Sequence, residues 1–184
     1  VQLRGFCAEG RERLLVFDYQ DNSSPPQVRL SVLVQPSSSV LRAKEIRVVH
    51  EESGMFWVCS SPVIFHAEGG KDYAGSLSLF PPYNSQMPQG IYCLYYTDLS
   101  GRECDAEFAQ KPYENLPYYI TNQNNERLAL YNEDGILVYC GKRKEYWKDN
   151  ASILAEYSNA QKMRICYENE GLFFMLPLET LQKK

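Results

Sequence analysis

The amino-acid sequence predicts a mainly β protein, an antiparallel β-sandwich followed by a smaller C-terminal extension of β-hairpins and one helix. Two observations carry this prediction: polar turns that end in glycine recur along the chain, and each of them lies between two apolar runs. The composition, 44% hydrophobic and 23% charged residues, is usual for a globular protein. A length of 184 residues suits one large domain, or one domain with a small companion.

Four tetrads define the predicted hairpins: residues 51–54, 98–101, 132–135 and 168–171 each end in Gly. Such tetrads favour a type I turn whose last residue lies in the left-handed region, which Gly adopts without steric cost. A looser turn of the same kind is predicted at residues 7–10. The strands predicted on the two sides of the four turns are residues 46–50 and 55–59, 91–97 and 102–108, 128–131 and 136–140, and 163–167 and 172–176.

Two further strands and one helix complete the predicted elements. Strands are predicted at residues 28–34 and 76–80, and apolar side chains at every second position of the first predict one buried face, opposite Arg29 and Ser31. The helix is predicted to run from residue 151 to about residue 160, with Asp149 or Asn150 as its N-cap. Ile153, Leu154 and Tyr157 would share one face of this helix.

A domain boundary is predicted near residues 110–117, where two prolines interrupt the strand pattern. Residues 1–110 would then form the sandwich, and residues 111–184 the smaller extension. About 70 residues are marginal for an independent hydrophobic core. We therefore expect the extension to pack on the sandwich rather than to fold alone.

The segment 87–101 carries a family resemblance. Pro88, Gly90 and Tyr92 form a Pro-x-Gly-x-Tyr entry to an alternating strand, which a hairpin follows. This pattern resembles the penultimate strand of immunoglobulin-like and fibronectin-III-like sandwiches, and strands of similar number and spacing extend it over about residues 14–110. The resemblance implies an Ig-like sandwich in which Tyr92 is the corner tyrosine, whose hydroxyl bonds to nearby backbone.

The cysteine–tryptophan–cysteine pattern of antibody domains is missing, because Trp57 stands two residues before Cys59. The resemblance therefore favours a bacterial Ig-like module of an envelope, periplasmic or secreted protein. Such folds host adhesion, scaffolding and ligand binding alike, so the fold does not select among these functions.

The six cysteines contain no C-x-x-C pair, which excludes zinc ribbons and thioredoxin-like redox motifs. If Gly101 ends a three-residue loop, Tyr96 faces Cys104 and Cys93 faces Glu107. Cys93 and Cys104 then point to opposite faces of their hairpin, and no disulfide is expected between them. We expect buried free thiols that act as small hydrophobic side chains. Because disulfides are typical of oxidising compartments, this expectation leaves a cytoplasmic location as the alternative.

No catalytic constellation is present in the sequence. There is no G-x-S-x-G, and the segment that begins at His50 lacks the second histidine of H-E-x-x-H. In the predicted hairpin His50 faces Phe56, so Cys59 would point to the opposite face and could not use His50 as a base. The sequence predicts a protein that is not an enzyme, with no cofactor and no metal site.

The net charge and the hydropathy of the chain argue against two kinds of partner, nucleic acid and the interior of a membrane. The net charge of -4 matches nucleic-acid phosphates poorly. The longest uncharged apolar stretch, residues 172–178, is far shorter than the roughly 20 residues that span a bilayer. We therefore expect neither nucleic-acid binding nor a transmembrane segment.

Two groups of residues are candidates for a protein or ligand contact, because exposed Tyr and Trp are favoured binding anchors. One is a basic and aromatic cluster, and the other lies in proline-flanked segments, where some rings could be exposed. Two alternatives stay open: the cluster is an ordinary solvated loop, or Tyr118 begins a strand and packs inward. The candidates are Lys142, Arg143, Lys144, Tyr146 and Trp147 in the cluster, and Tyr83, Tyr113 and Tyr118 in the flanked segments.

The function expected from these observations is a non-enzymatic protein-interaction or structural module of a bacterial envelope or secreted protein, with an unidentified protein partner. The alternative is a small-ligand or carbohydrate-binding domain. Its aromatic-lined pocket would lie between the sandwich and the C-terminal helix, and Tyr113, Tyr118 and Trp147 would line it.

Overall fold

The structure is a computed structural model that describes residues 2–3, 13–36, 39–67, 71–83, 85–110, 112, 126–169 and 171–181. In these residues the chain is mainly β, with two sheets and one α-helix, which confirms the predicted fold class and is consistent with a β-sandwich. The chain divides into two compact units: unit 1 is Val1–Leu15 with Val28–Glu114, and unit 2 is Val16–Gln27 with Asn115–Lys184. The predicted boundary near residue 110 and the Ig-like topology stay predictions.

Unit 1 is built from short antiparallel strands. One sheet has the strand order β5-β4-β8-β9, and in the other sheet β3, β7 and β6 lie side by side while β1 pairs with β3. Strand β2 is divided between the two units after its third residue. The strands are β1 (Gln2–Leu3), β2 (Arg13–Asp18), β3 (Gln27–Gln35), β4 (Ala43–His50), β5 (Phe56–Cys59), β6 (Val63–Ala67), β7 (Lys71–Leu79), β8 (Gly90–Asp98) and β9 (Glu103–Gln110), with a 3₁₀ turn at Val40–Arg42 before β4.

A glycine with positive φ ends each of the four predicted tetrads, and the turns at residues 98–101 and 132–135 have the predicted hydrogen bond from the glycine N–H to the first residue of the tetrad. In the turn between β8 and β9, Gly101 has a φ of 79°, and its N–H donates to the Asp98 carbonyl at 2.9 Å. A Cβ at this position would meet no atom within 4 Å, so the backbone conformation rather than space favours glycine here. The glycines that end the other three turns, Gly54, Gly135 and Gly171, also have positive φ. The turn predicted at residues 7–10 lies outside the described residues.

The register of the β8–β9 hairpin is the predicted one. Tyr96 pairs with Cys104, and Cys93 pairs with Glu107. The two thiols therefore point to opposite faces and are both free, which confirms the prediction that no disulfide joins them. Among the described residues, Cys59, Cys140 and Cys166 also form no disulfide, and Cys166 is the only one of the five described cysteines that is buried. The prediction of buried thiols is therefore wrong for the other four, which lie partly exposed.

The register predicted for the β4–β5 hairpin is wrong by one residue. Val49, and not His50, pairs with Phe56, because the turn is one residue longer and the His50 N–H bonds to the Met55 carbonyl. Cys59 pairs with Ile46 and so points to the same face as His50. The two side chains nevertheless lie four residues apart along the strand direction, roughly 13 Å, which is too far for a base to activate a thiol.

Strand β3 also departs from its prediction. Its residues are buried on both faces from Leu30 to Val34, so Ser31 lies inside and not on a solvent face. The Ser31 hydroxyl donates to the Leu77 carbonyl at 3.0 Å, which satisfies the polar group. Burial of the second face depends on residues distant in sequence, so a single sequence window carries no sign of it.

The inner face of the four-stranded sheet is a stack of aromatic rings. The Tyr92 ring lies 5.1 Å from the Phe108 ring and 6.2 Å from the Trp57 ring. The Tyr92 hydroxyl donates to the Pro88 carbonyl at 2.5 Å, the backbone contact that the resemblance implies for this residue. These contacts hold β5, β8 and β9 in one rigid layer.

Unit 2 contains antiparallel strands and one helix. Its strand order is β11-β10-β12-β13, and β14 also pairs with β12. The helix packs over a hydrophobic core that contains Leu128, Leu130, Trp147, Ile153, Ala160, Met163 and Leu181. The elements are β10 (Glu126–Tyr131), β11 (Leu137–Gly141), α1 (Asn150–Glu156), β12 (Lys162–Asn169), β13 (Leu172–Met175) and β14 (Glu179–Thr180).

Helix α1 begins as predicted and ends earlier. The Asp149 carboxylate accepts from the Ser152 N–H at 2.8 Å, and Ser152 returns a hydrogen bond, which together form a capping box. The helix ends at Glu156 rather than near residue 160, because Tyr157 leaves the helical conformation and the chain turns. Ile153 is buried, and Leu154 and Tyr157 pack against the same core, as their predicted common face requires.

Arg164 attaches the segment Val16–Gln27 to unit 2. Its guanidinium donates to the Asp18 carboxylate at 2.8 Å, to the Tyr19 carbonyl at 3.0 Å and to the Leu176 carbonyl at 2.8 Å. The ion pair is almost fully buried and every partner is a good acceptor, so its geometry offsets the desolvation of both charges.

In the part of the chain that the structure describes, no helix has the length and apolar character needed to cross a membrane.

Candidate functional site

The outer face of the four-stranded sheet changes in character from one edge to the other. One row of paired residues across the sheet starts at Phe56 on β5 and ends at Glu107 on β9. The next row starts at Val58 and ends at Asp105. Each row is therefore apolar at the β5 edge and acidic at the β9 edge.

The β5 edge exposes hydrophobic side chains. Phe56 is 64% and Val58 49% exposed, and the strand carries no charged residue. Between them, Trp57 points inward, and its indole N–H donates to the Phe80 carbonyl at 2.6 Å. Phe80 is itself 39% exposed. The edge strand is thus anchored from its inner face while its outer face stays open to solvent.

The β9 edge is protected by acidic side chains. Glu103, Asp105 and Glu107 alternate along the strand and are all exposed. Charged side chains on an edge strand oppose pairing with another strand, because pairing would bring them out of water. The two edges of one sheet are therefore built differently, and only β9 carries this protection.

One group near the β9 edge has ligand atoms of the kind that bind metals. Oxygen atoms of Glu51 and Glu107 and the Cys93 sulfur lie within 4.8 Å of one another, and the Cys93 thiol donates to Glu51 at 3.1 Å. Desolvation, and then Glu51 and Glu107, raise the pKa of the Cys93 thiol. A thiol must lose its proton to act as a nucleophile, so this arrangement disfavours that role for Cys93 near neutral pH.

His50 has a structural position. Its Nε2 lies 2.8 Å from the Gln89 carbonyl and its Nδ1 lies 2.7 Å from the Ser53 hydroxyl. Because a carbonyl can only accept, we assign the proton to Nε2, which leaves Nδ1 to accept from Ser53. The imidazole is buried against the Tyr92 ring and has no free nitrogen with which to serve as a base. The geometry gives His50 no catalytic role.

Unit 2 holds a second notable arrangement, which we call the Lys144 cluster and define as Lys144, Tyr139, Tyr146, Trp147, Tyr157 and Glu156. The Lys144 Nζ lies 5.1 Å from the Trp147 ring centroid, 5.7 Å from those of Tyr146 and Tyr157, and 5.8 Å from that of Tyr139. Each distance is within the range of a cation–π contact. One ammonium group is therefore surrounded by four rings.

Glu156 completes the Lys144 cluster. One carboxylate oxygen accepts from Lys144, and the other accepts from the Tyr146 hydroxyl and the Trp147 indole, each at 2.9 Å. These hydrogen bonds, first of all the one with Lys144, lower the pKa of Glu156 and raise the pKa of Lys144. The pair stays ionised at neutral pH.

The predicted basic and aromatic cluster is separated into three environments. Lys142 and Arg143 are exposed, and Tyr146 is 60% exposed. Lys144 is turned into the rings. Trp147 is 2% exposed and belongs to the core of unit 2, which corrects its predicted place on a contact surface. The physical reason is that the apolar indole ring packs into the core while its N–H still reaches an acceptor, the partly exposed Glu156 carboxylate.

The other predicted contact residues are Tyr83, Tyr113 and Tyr118. Tyr83 is 95% exposed, in the segment that follows Phe80. Because the Phe80 carbonyl accepts a hydrogen bond from the Trp57 indole, this segment begins beside β5. Tyr113 and Tyr118 lie outside the described residues, as does the aromatic pocket predicted from them.

Phe56 and Val58 are the contact candidates that the sequence analysis missed. A signal for them existed: residues 56–59 form a strand with no charge, whereas its counterpart at residues 103–110 alternates acids with other residues. The predicted register hid this signal, because a shift of one residue exchanges the inner and outer faces.

No family model, no curated protein and no solved structure matches this chain. The function therefore has to be argued from the geometry of the chain itself.

Proposed function

We propose that this chain is a non-enzymatic protein-interaction module that pairs through its β5 edge with β5 of a second copy. The observation that carries the proposal is the contrast between the two edges of one sheet: β5 exposes Phe56 and Val58, and β9 presents alternating acids. Natural edge strands are normally blunted by charge, so an uncharged apolar edge is suited to strand pairing.

Charge favours a second copy in a symmetric arrangement. When two β5 strands pair, both β9 edges lie at the far ends of an eight-stranded sheet, where their carboxylates are separated. Pairing β9 with β5 of another copy would place Asp105 and Glu107 beside apolar side chains and remove them from water, which costs free energy. The symmetric contact closes after two copies, whereas the mixed one would continue into a filament.

The strand itself suggests a register. In an antiparallel pair with Trp57 on the two-fold axis, Phe56 of each copy lies opposite Val58 of the other copy. Aromatic side chains opposite β-branched ones are favourable cross-strand pairs. Four residues bury little surface compared with the roughly 1,200 Å² of a stable interface, so we expect a weak dimer.

The absence of an enzymatic role rests on the sites already described. His50 has both nitrogens occupied, and the Cys93 thiol is held protonated by its surroundings. The envelope or secreted location and the identity of any other partner stay predictions.

Sedimentation velocity over a concentration series tests the proposal. The wild-type chain is expected to sediment as a monomer at about 10 µM and to form dimer at several hundred µM, as mass action requires for a weak pair. Phe56→Glu places a charge in the pairing edge and should abolish the dimer. Leu99→Glu is the matched control, because Leu99 is 65% exposed in the β8–β9 turn, and it should dimerise like the wild type.

Two outcomes would overturn the proposal. One is a wild-type chain that stays monomeric across the series. The other is a dimer that Phe56→Glu and Leu99→Glu weaken equally, since the contact would then not involve β5. Circular dichroism of each variant keeps a loss of folding distinct from a loss of pairing.

A further inference from the structure

The Lys144 cluster has the geometry of a cation cage. The Trp147 ring is nearly perpendicular to three neighbours, at 74° to Tyr139, 85° to Tyr157 and 79° to Tyr146. The Trp147 ring therefore meets these neighbours through edge contacts and does not stack on them. The Lys144 ammonium lies within cation–π distance of all four rings, which shows that the cluster attracts a cation.

The walls of this cage are held by the fold and do not depend on Lys144. Trp147 is part of the hydrophobic core, and Tyr139 and Tyr157 pack against that core from β11 and from the end of α1. The Tyr139 hydroxyl donates to the Lys142 carbonyl at 2.6 Å. Glu156 accepts from both Tyr146 and Trp147. Removing the Lys144 side chain would leave all four rings anchored.

The occupant, in contrast, is held by its ion pair with Glu156 and by its ring contacts, and it is not part of the hydrophobic core. Lys144 lies in the connection between β11 and α1, outside any strand or helix, and its side chain is 31% exposed. Its four-carbon stem has rotamers that point to solvent. The ammonium can therefore leave the cage without movement of a strand or of the helix.

We propose that Tyr139, Tyr146, Trp147, Tyr157 and Glu156 form a binding site for a methylated ammonium group, which Lys144 occupies in the free protein. The site lies within unit 2 and makes no use of β5, so it is independent of the proposed pairing function.

A methylated ammonium fits this cage better than the lysine that fills it. A primary ammonium is compact and strongly hydrated, and it needs hydrogen bonds when it leaves water. A quaternary ammonium has no N–H groups to satisfy, is weakly hydrated and presents methyl groups to the ring faces. Glu156 supplies an opposite charge beside it. The displaced Lys144 ammonium is hydrated by solvent again, so the exchange leaves no charged group buried without a partner.

Tetramethylammonium is the probe for the binding test, followed by Trp147 fluorescence in a Trp57→Phe background, which leaves one tryptophan in the chain. Lys144→Ala should bind it about tenfold more tightly than Lys142→Ala, because an internal competitor reduces the apparent affinity. Lys142 is the matched control, a nearby exposed lysine. Adding Tyr157→Leu to Lys144→Ala should abolish binding, and sodium chloride at equal ionic strength should give no response.

Choline and Nε-trimethyllysine then distinguish the source of the group, a free small molecule or a modified side chain, by which of them binds Lys144→Ala more tightly.

The proposal is overturned if Lys144→Ala retains its native near-ultraviolet circular dichroism and does not bind tetramethylammonium. Equal affinity in Lys144→Ala and Lys142→Ala also overturns it, because the effect would then be one of surface charge.

A second measurement uses the wild-type chain, so it does not depend on a variant that folds. Acetylation by an active ester, followed by mass spectrometry, should modify Lys144 more slowly than the exposed Lys142. Tetramethylammonium should raise the rate at Lys144 and leave the rate at Lys142 unchanged, because the cation displaces the ammonium into solvent. A rate at Lys144 that does not respond to the cation contradicts the proposal.

Discussion

Strands β5 and β9 are the two edges of one sheet, yet they differ in length, in charge and in the side chains that they expose. β5 is four residues long, uncharged, and has Phe56 and Val58 exposed. β9 is twice as long and places an acid at residues 103, 105 and 107. A long edge offers more backbone for unwanted pairing and so has more need of protection. The difference suggests that the exposure of β5 is functional, since the same sheet shows how an edge is blunted.

The largest effect is expected when the protection of β9 is removed. Replacing Asp105 and Glu107 with Val should give β9 an apolar outer face and allow it to pair with other copies. Each copy would then have two edge strands that can pair with other copies, so we expect species larger than a dimer and loss of solubility. Light scattering over a concentration series measures this change.

The control variant for that experiment removes the same number of negative charges at another place in the chain. Glu133 and Asp134 are exposed in the β10–β11 turn, and their replacement by Val should leave the mass distribution at its wild-type value. If both double variants assemble equally, lowered net charge rather than the β9 edge is responsible. That result would remove the contrast between the edges.

A smaller effect is expected at Asp98, which closes the β8–β9 hairpin. Its carboxylate accepts from Ser100 and from the Arg102 guanidinium at 2.8 Å each, and these hydrogen bonds hold the pKa of Asp98 well below its ordinary value. The folded state therefore favours the ionised form. The stabilisation is fully present above about pH 4, the ordinary range of an aspartate, and is lost as the pH falls below it.

Asp98→Asn should accordingly lower the urea midpoint at pH 7, and the gap from the wild type should narrow as the pH falls below about 4. Urea unfolding at several pH values checks this. Glu103→Gln, an exposed change on the adjoining strand, should alter the midpoint little at any pH. A gap of constant size across the pH range would mean that the ionised carboxylate is not what stabilises the hairpin.

The smallest effect concerns the anchor of β5. Trp57→Phe removes the indole N–H that donates to the Phe80 carbonyl, and a hydrogen bond between side chain and backbone contributes about 1 kcal/mol to the free energy of unfolding. Urea unfolding should show a loss of that size. Tyr83→Phe, which removes a hydroxyl on an exposed ring, should change stability by less than about 0.5 kcal/mol. Equal losses would indicate that the Phe80 bond does not hold the edge in place.

Much of the fold could be predicted because its signals are local. The turn at Gly101 sets the register of β8 and β9, and this register was derived correctly from turn geometry alone. The turn at Gly54 carries the same sequence signal but adds one residue, and the register of β4 and β5 shifted with it. The burial of Ser31 and the grouping of Val16–Gln27 with unit 2 through Arg164 depend on partners distant in sequence, which a local pattern does not contain.

The candidate sites were predicted less well for a related reason. The sequence drew attention to Lys144, Tyr146 and Trp147, but their arrangement depends on Tyr139, Tyr157 and Glu156 from neighbouring elements. Composition alone favours exposed basic and aromatic side chains, whereas the fold buries Trp147 and turns Lys144 inward. The β5 edge was missed because the register error exchanged its two faces.

Hydrogen exchange of the backbone amides, followed by mass spectrometry at about 10 µM and about 500 µM protein, tests the central claim most directly, since pairing protects edge amides by mass action. It reports on both edges of the four-stranded sheet in one experiment. The account predicts that exchange slows in β5 at the higher concentration and stays unchanged in β9. Slowing in β9 alone, in both edges equally or in neither would contradict it.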